Sequence, residues 1–313
     1  MLSFLLVRLH TDDEVLKTVA DYGSVSIIYS YFVLFNIILA YGMETAFFRF
    51  YNKEDDKDTV IGTSVISLIF TSLAFFVSAI IFRNQISNIV DIKLEYINLV
   101  IWILLFDALA IMPFAWLRAN AQPIRYAVIK ILNVIINLGL NLFFLIWLDN
   151  LALKSPIFDA IYRPNFEINY ILIANLIASA VTLLIMLPLY FKVNYIFSKQ
   201  LWKKMMRYAF PVFIAGLAFS VNETFDRILL DKILPEDIAE TQLGRYSACY
   251  KLALFMTLFA TAYRLGIEPY FFSHAKAENP QKNYAKILEF FVIFGALIML
   301  GVIVFADVLK VIL

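Results

Sequence analysis

Acidic and basic side chains lie inside long apolar runs of this sequence, where water is not available to solvate them. Glu223, Asp226 and Arg227 share one run, Lys251 lies in the next, and Asp107 sits near the middle of another. A charge at the centre of a membrane helix costs roughly 2.5–3.5 kcal/mol on insertion scales, so it needs a partner or a wet cavity. Glu223, Asp226 and Arg227 stand at i, i+3 and i+4, which puts them on one face of a helix. If the following run returns antiparallel, Asp226 and Lys251 fall at similar depth. Two readings stay open. The group lines a cavity, where cations meet an anionic ligand and carboxylates take up H⁺ or Na⁺. Alternatively, Asp226 and Lys251 form a salt bridge that orients two helices. Glu223 lies deeper and has no partner evident in the sequence.

A second group stands near the ends of two runs. It comprises Glu44 and Arg49 in the first, and Arg264 and Glu268 in the second. Arg264 and Glu268 are i, i+4 and can pair with each other. Glu44 and Arg49 are five apart and do not share a face. Arg264 and Arg49 are candidate anion contacts, and Glu44 and Glu268 candidate ion-coupling carboxylates. The alternative for Arg264 is an interfacial anchor that extends its charge to water. A further run carries Lys130, Asn133, Asn137 and Asn141, the amides recurring every four residues. Amides donate and accept at once, which suits sugar hydroxyls. They equally suit helix–helix hydrogen bonds, worth about 0.6 kcal/mol on average in membranes. Asp107 is either a coupling site or a buried protonated acid bonded to a neighbour.

Other chemistry finds little support. The EDDKD stretch from Glu54 to Asp58 reads as a solvated loop. His10 and His274 are isolated, and the single Cys249 cannot form an internal disulfide or a cysteine metal cluster. No P-loop, HExxH or GxSxG pattern occurs. We therefore expect no enzyme activity, no metal and no cofactor beyond a coupling ion. With a formal net charge of +1 there is no nucleic-acid signature either.

These residues must be carried by membrane helices. The chain has 313 residues, of which 62% are hydrophobic and only 16% charged, and its mean hydropathy is +0.79. Soluble domains hold about 25% charged residues. With about 20 apolar residues needed per crossing, the sequence predicts one partial and eight full spans. The partial span is Met1 to Leu9. The full spans run from Tyr22 to Phe50, Val60 to Phe82, Glu95 to Leu117, Ile124 to Leu148, Asn169 to Phe191, Tyr208 to Leu230, Tyr246 to Phe272 and Tyr284 to Ala306. Lys and Arg concentrate in the links after the even-numbered spans, which places those links and the N-terminus in the cytoplasm. The link from Asp149 to Ile168 then faces outward.

Two blocks recur at one offset. GMETAFF (Gly42 to Phe48) matches GIEPYFF (Gly266 to Phe272), and LVRLHTDD (Leu6 to Asp13) matches LDKILPED (Leu230 to Asp237). The register slips by a few residues near Gly23 and Gly244. An even number of spans separates the copies, so both halves face the same way, as in a parallel repeat about an axis along the membrane normal. The expected fold is an all-α polytopic membrane protein of two parallel pseudo-symmetric bundles. Residues 1–195 form a six-helix N-terminal bundle whose first helix is incomplete. Residues 196–313 form the first three helices of a C-terminal bundle. By this repeat the sequence holds about nine of twelve or more spans, and we expect it to be a fragment.

GMETAFFRFYN, the hairpin NETFDRILLDKILP…LGRYSACYKLA, and AYRLGIEPYFFSHA resemble the Wzx-type oligosaccharide flippases. These are polysaccharide biosynthesis proteins of the multidrug/oligosaccharidyl-lipid/polysaccharide exporter superfamily. The resemblance covers essentially the whole chain and is most specific around Tyr41 to Glu44. It implies two six-helix bundles around a central cavity in the bacterial inner membrane. It further implies export of a polyprenyl-diphosphate-linked oligosaccharide. The partners so implied are that lipid-linked oligosaccharide, membrane lipids, and the polymerase and glycosyltransferases of the same route. On this reading Arg264, Lys251, Arg227 and Arg49 attract the diphosphate. Glu44, Glu223, Asp226, Asp107 and Glu268 couple to H⁺ or Na⁺, and Asn133, Asn137 and Asn141 contact sugar. A multidrug antiporter of the same architecture and a membrane polysaccharide polymerase or ligase are the alternatives. The mixed charges lean away from the first, and the short outward link from Asp149 to Ile168 leans away from the second.

Overall fold

The computed structural model describes residues 12–274, 280–306 and 308. The described residues form helices and connecting turns, with no strand among them. The order is α1 (Asp12–Ala40), α2 (Met43–Lys53), α3 (Lys57–Ile81), α4 (Arg83–Val90), α5 (Leu94–Ala119) and α6 (Pro123–Leu142). A π-helical turn, Phe143–Trp147, leads into α7 (Leu148–Ala152). There follow α8 (Pro156–Asp159), α9 (Glu167–Tyr190), α10 (Lys199–Ile233), α11 (Glu236–His274) and α12 (Pro280–Val304).

Seven stretches among the described residues are long and apolar enough to cross a membrane: Val19–Lys53, Lys57–Ile81, Leu94–Ala119, Pro123–Ala152, Glu167–Tyr190, Lys199–Ile233 and Tyr284–Val304. They coincide with seven of the spans expected from the sequence. The expected first span lies outside the described residues, and the run from Tyr246 to Phe272 falls within α11. The protein is an all-α, multi-pass membrane protein. Its apolar residues are turned outward as well as inward. Phe70, Ile81 and Ile124 are well exposed, as side chains facing hydrocarbon must be.

The chain divides into two compact units, residues 25–234 and residues 1–24 with 235–313. In the first, α5 is the central rod, with α9, α3, α6, α4 and α2 packed around it. Ile103, Leu104, Ala108, Ala115 and Leu117 on α5 are buried. Ser64, Thr71 and Thr182 return their hydroxyls to the carbonyl four residues earlier, so these polar groups cost little inside the bundle.

The apolar run from Tyr22 to Phe50 is not one rod. It breaks at Tyr41 and Gly42, which have φ of 33° and 72°. Glycine enters this left-handed region without steric cost. A Cβ at Gly42 would also stand 2.5 Å from the carbonyl oxygen of Ala209 on α10. The GMETAFF stretch therefore starts a new helix. Met43, Ala46, Phe47 and Phe50 turn into a core with Leu68, Met112 and Met205.

In the other unit, α1 and α11 cross backbone to backbone. A Cβ at Gly23 would lie 2.0 Å from the carbonyl oxygen of Glu240, and one at Gly244 the same distance from that of Val19. Ser24 donates to Glu240 at 2.7 Å beside this crossing. α11 and α12 are joined by the Phe259–Phe291 stack and by Tyr263, whose hydroxyl donates to the Ile287 carbonyl at 3.0 Å.

Candidate functional site

The polar groups of residues 25–234 converge on α5 and its neighbours. The end of the unit that carries the α2–α3, α5–α6 and α9–α10 links is basic. Here Glu44, in the first turn of α2, forms an ion pair with Arg118 in the last turn of α5. The Arg118 guanidinium also lies over two rings, Phe48 at 4.9 Å and Tyr126 at 5.3 Å. Glu44 and Phe48 are one helical turn apart, so α2 offers both the carboxylate and the ring from one face. Tyr126 meets Phe114 edge to face at 5.3 Å. On the Phe114 ring sits the Lys130 ammonium, 4.3 Å from the centroid. Arg49 faces away and covers Tyr208 at 4.3 Å.

Lys130 on α6 comes within electrostatic range of both Arg118 and Asp107 of α5. Asp107 is half-buried on α5, with Ser179 of α9 beside its carboxyl group. Asn175, one turn before Ser179, donates to the Tyr29 hydroxyl at 3.2 Å. Thr182, one turn after it, accepts from Asn133 at 2.9 Å. Five helices, α1, α2, α5, α6 and α9, thus contribute to one polar track. Along it the charges run from the Glu44 carboxylate through the Arg118 and Lys130 cations to the Asp107 carboxylate. Aromatic rings lie beside both cations, Phe48 and Tyr126 at Arg118 and Phe114 at Lys130.

The other candidates are placed as follows. Asn137 and Asn141 pair within α6, where the Asn141 amide donates to the Asn137 carbonyl at 2.7 Å and to its side-chain oxygen at 2.8 Å. On α10, the Arg227 guanidinium donates to the Glu223 backbone carbonyl at 3.0 Å, and the Arg227 amide N–H to Asp226 Oδ1 at 2.8 Å. Glu223, Asp226 and Arg227 are all half-buried. Lys251 belongs to the unit of residues 1–24 and 235–313, where its ammonium lies 4.4 Å over the Tyr22 ring. The side chains of Arg264 and Glu268 lie outside the described residues, as do His10 and the stretch from Leu6 to His10.

Sequence reasoning assigned no role to Arg118, Tyr29, Asn175, Ser179 or Thr182. The last three carried a signal, since they stand at i, i+4 and i+7 in an otherwise apolar run and so share a face. Among the described residues no three His, Cys, Asp or Glu side chains gather as metal ligands do.

The family model described as "Polysaccharide biosynthesis protein" matches residues 15–275. The chain belongs to the polysaccharide biosynthesis protein family. The matched region includes α2, α5, α6, α9 and α10, hence the whole polar track. The fold is similar to that of a solved structure of a multidrug resistance MATE family transporter of the MOP superfamily, in an inward-facing conformation. The two share 15% identity with a TM-score of 0.61, over 97% of this chain and 72% of that one. No curated protein sequence matches the chain.

Proposed function

We propose that this member of the polysaccharide biosynthesis protein family moves a polyprenyl-diphosphate-linked oligosaccharide from the inner to the outer leaflet of a bacterial inner membrane. The observation that carries the reading is the polar track from Glu44 to Asp107. It places two carboxylates, two cations and several hydroxyls and amides on apolar helices of a family member with a transporter-like fold. Polar groups in such helices mark ion and substrate paths by default. Two bundles, residues 1–195 and 196–313, rock about the cavity and open it to each side in turn. Arg264, Lys251, Arg227 and Arg49 attract the diphosphate. Glu44, Glu223, Asp226, Asp107 and Glu268 exchange H⁺ or Na⁺, and Asn133, Asn137 and Asn141 meet the glycan. No covalent chemistry is required of the protein. The N-terminus lies in the cytoplasm, where Lys and Arg of the basic end also belong.

A second reading, export of a cationic drug, is favoured by the fold likeness to a multidrug transporter. It fits Asp107 but not the cation pair of Arg118 and Lys130. Proteoliposomes carrying a fluorescently labelled polyprenyl-diphosphate oligosaccharide separate the two readings. An impermeant glycosidase should reach the inner-leaflet pool only when the protein is present and an ion gradient or excess substrate is imposed. An unchanged protected pool, together with ion-dependent efflux of a cationic dye, would replace the flippase reading with the drug one.

A further inference from the structure

Arg118 and Lys130 are cations that the proposed roles above leave unused. Their surroundings are those of a seat rather than a strut. The side chains of Arg118 and Glu44 are 40% and 34% exposed, so their ion pair lies open to solvent and headgroups. Exposed pairs of this kind contribute little to stability and are easily exchanged. The guanidinium carbon lies over the rings of Phe48 and Tyr126, and its N–H groups already meet a carboxylate, the geometry that a planar or tetrahedral oxyanion also takes. Lys130, held on Phe114, adds a second positive charge within electrostatic range. Arg125 is exposed in the first turn of α6. A cation there opposes the positive end of the helix dipole, and α6 has no side-chain cap to offset it. A bound anion would relieve the repulsion between Arg118 and Lys130.

We propose that Arg118 and Lys130 form a binding seat for a phosphate-ester oxyanion, and that Glu44 is its resident competitor. The anion enters by taking the guanidinium from Glu44, in a bidentate pair of the kind arginine makes with phosphate. Glu44 is released as the anion binds, which links occupancy of the seat to the position of α2. Lys130 extends the effect inward, because Asp107 lies within its electrostatic range as well. The seat rests on the flippase reading for the identity of its natural ligand, a diphosphate on a lipid.

Binding to the full chain in detergent micelles tests this without any transport step. The probes are inorganic pyrophosphate and farnesyl diphosphate, titrated calorimetrically. Glu44→Gln removes the competitor's charge, so both probes should bind several-fold tighter. Arg118→Gln should weaken both about tenfold or more, the usual scale for losing a charge-assisted phosphate contact. Arg118→Lys should fall between, since it keeps the charge without the planar fork. Equal effects on the two probes assign recognition to the phosphates, and a larger effect on farnesyl diphosphate assigns it to a lipid held beside them. Wild-type binding left unchanged by Glu44→Gln and Arg118→Lys would overturn the seat and leave the flippase reading standing. Failure of the wild type to bind farnesyl diphosphate at all would overturn the lipid-diphosphate substrate together with it.

Discussion

The Asn133 side-chain amide donates to the Thr182 hydroxyl across α6 and α9, at 2.9 Å. One member of the amide series is thereby committed to holding two helices together. Double-mutant cycles of such bonds in membrane proteins average about 0.6 kcal/mol and reach about 1.7. A cycle of Asn133→Ala and Thr182→Val, read by thermal unfolding in detergent, should give a coupling in that range. A coupling near zero, with an altered glycan preference in Asn133→Ala, would return Asn133 to the sugar.

Asp107→Asn keeps the shape of the side chain and its contact with Ser179 but removes the exchangeable charge. Transport in proteoliposomes should drop about tenfold or more and lose its dependence on the H⁺ or Na⁺ gradient, as expected of an intramembrane carboxylate with a coupling role. Expression and thermal stability should change little. Equal gradient dependence in variant and wild type would remove Asp107 from the coupling path.

At Gly42 the backbone itself is the constraint. A left-handed φ costs a residue with a Cβ about 1–2 kcal/mol. Here the added methyl would also meet the Ala209 carbonyl. Gly42→Ala should therefore lower thermal stability by more than the backbone term alone. Gly139→Ala is the control, since a Cβ there meets nothing within 4 Å. Equal effects at the two sites would contradict the account.

The cap of α3 gives a pH dependence. Thr59 donates its hydroxyl to Asp56 at 2.6 Å and its amide at 3.1 Å, and these bonds hold the carboxyl below its ordinary value of 3.8. The folded value lies below the unfolded one. The cap's contribution is thus complete above 3.8 and disappears as pH falls through the lowered folded value. Hydrogen exchange at the Thr59 amide should accelerate, relative to the intrinsic rate, only in that acid range. Asp56→Ala should exchange fast at every pH.

Much of the architecture was legible before any coordinates. Helices α3, α5, α9 and α10 follow from apolar runs of spanning length, because a bilayer tolerates nothing shorter or more polar. The break at Gly42 was hidden because both flanking segments are apolar, and hydropathy does not register a left-handed turn. The Glu44–Arg118 pair was out of reach for a different reason. Local spacing reveals i, i+4 partners such as Arg264 and Glu268, whereas residues on α2 and α5 meet only through tertiary packing. Asp107 stood out as costly in an apolar run. Its helpers Ser179 and Asn175 are small or neutral and read as ordinary helix contents, although their shared face was there to be counted.

The turn at Tyr41 and Gly42 divides what would be one rod into a long lever and a short one. Glu44 rides at the root of the short lever, two residues past the pivot. The bend lets the long helix take one direction while the short one is tied through Glu44 to Arg118 of α5, so a change in tilt above the pivot need not break the pair below it.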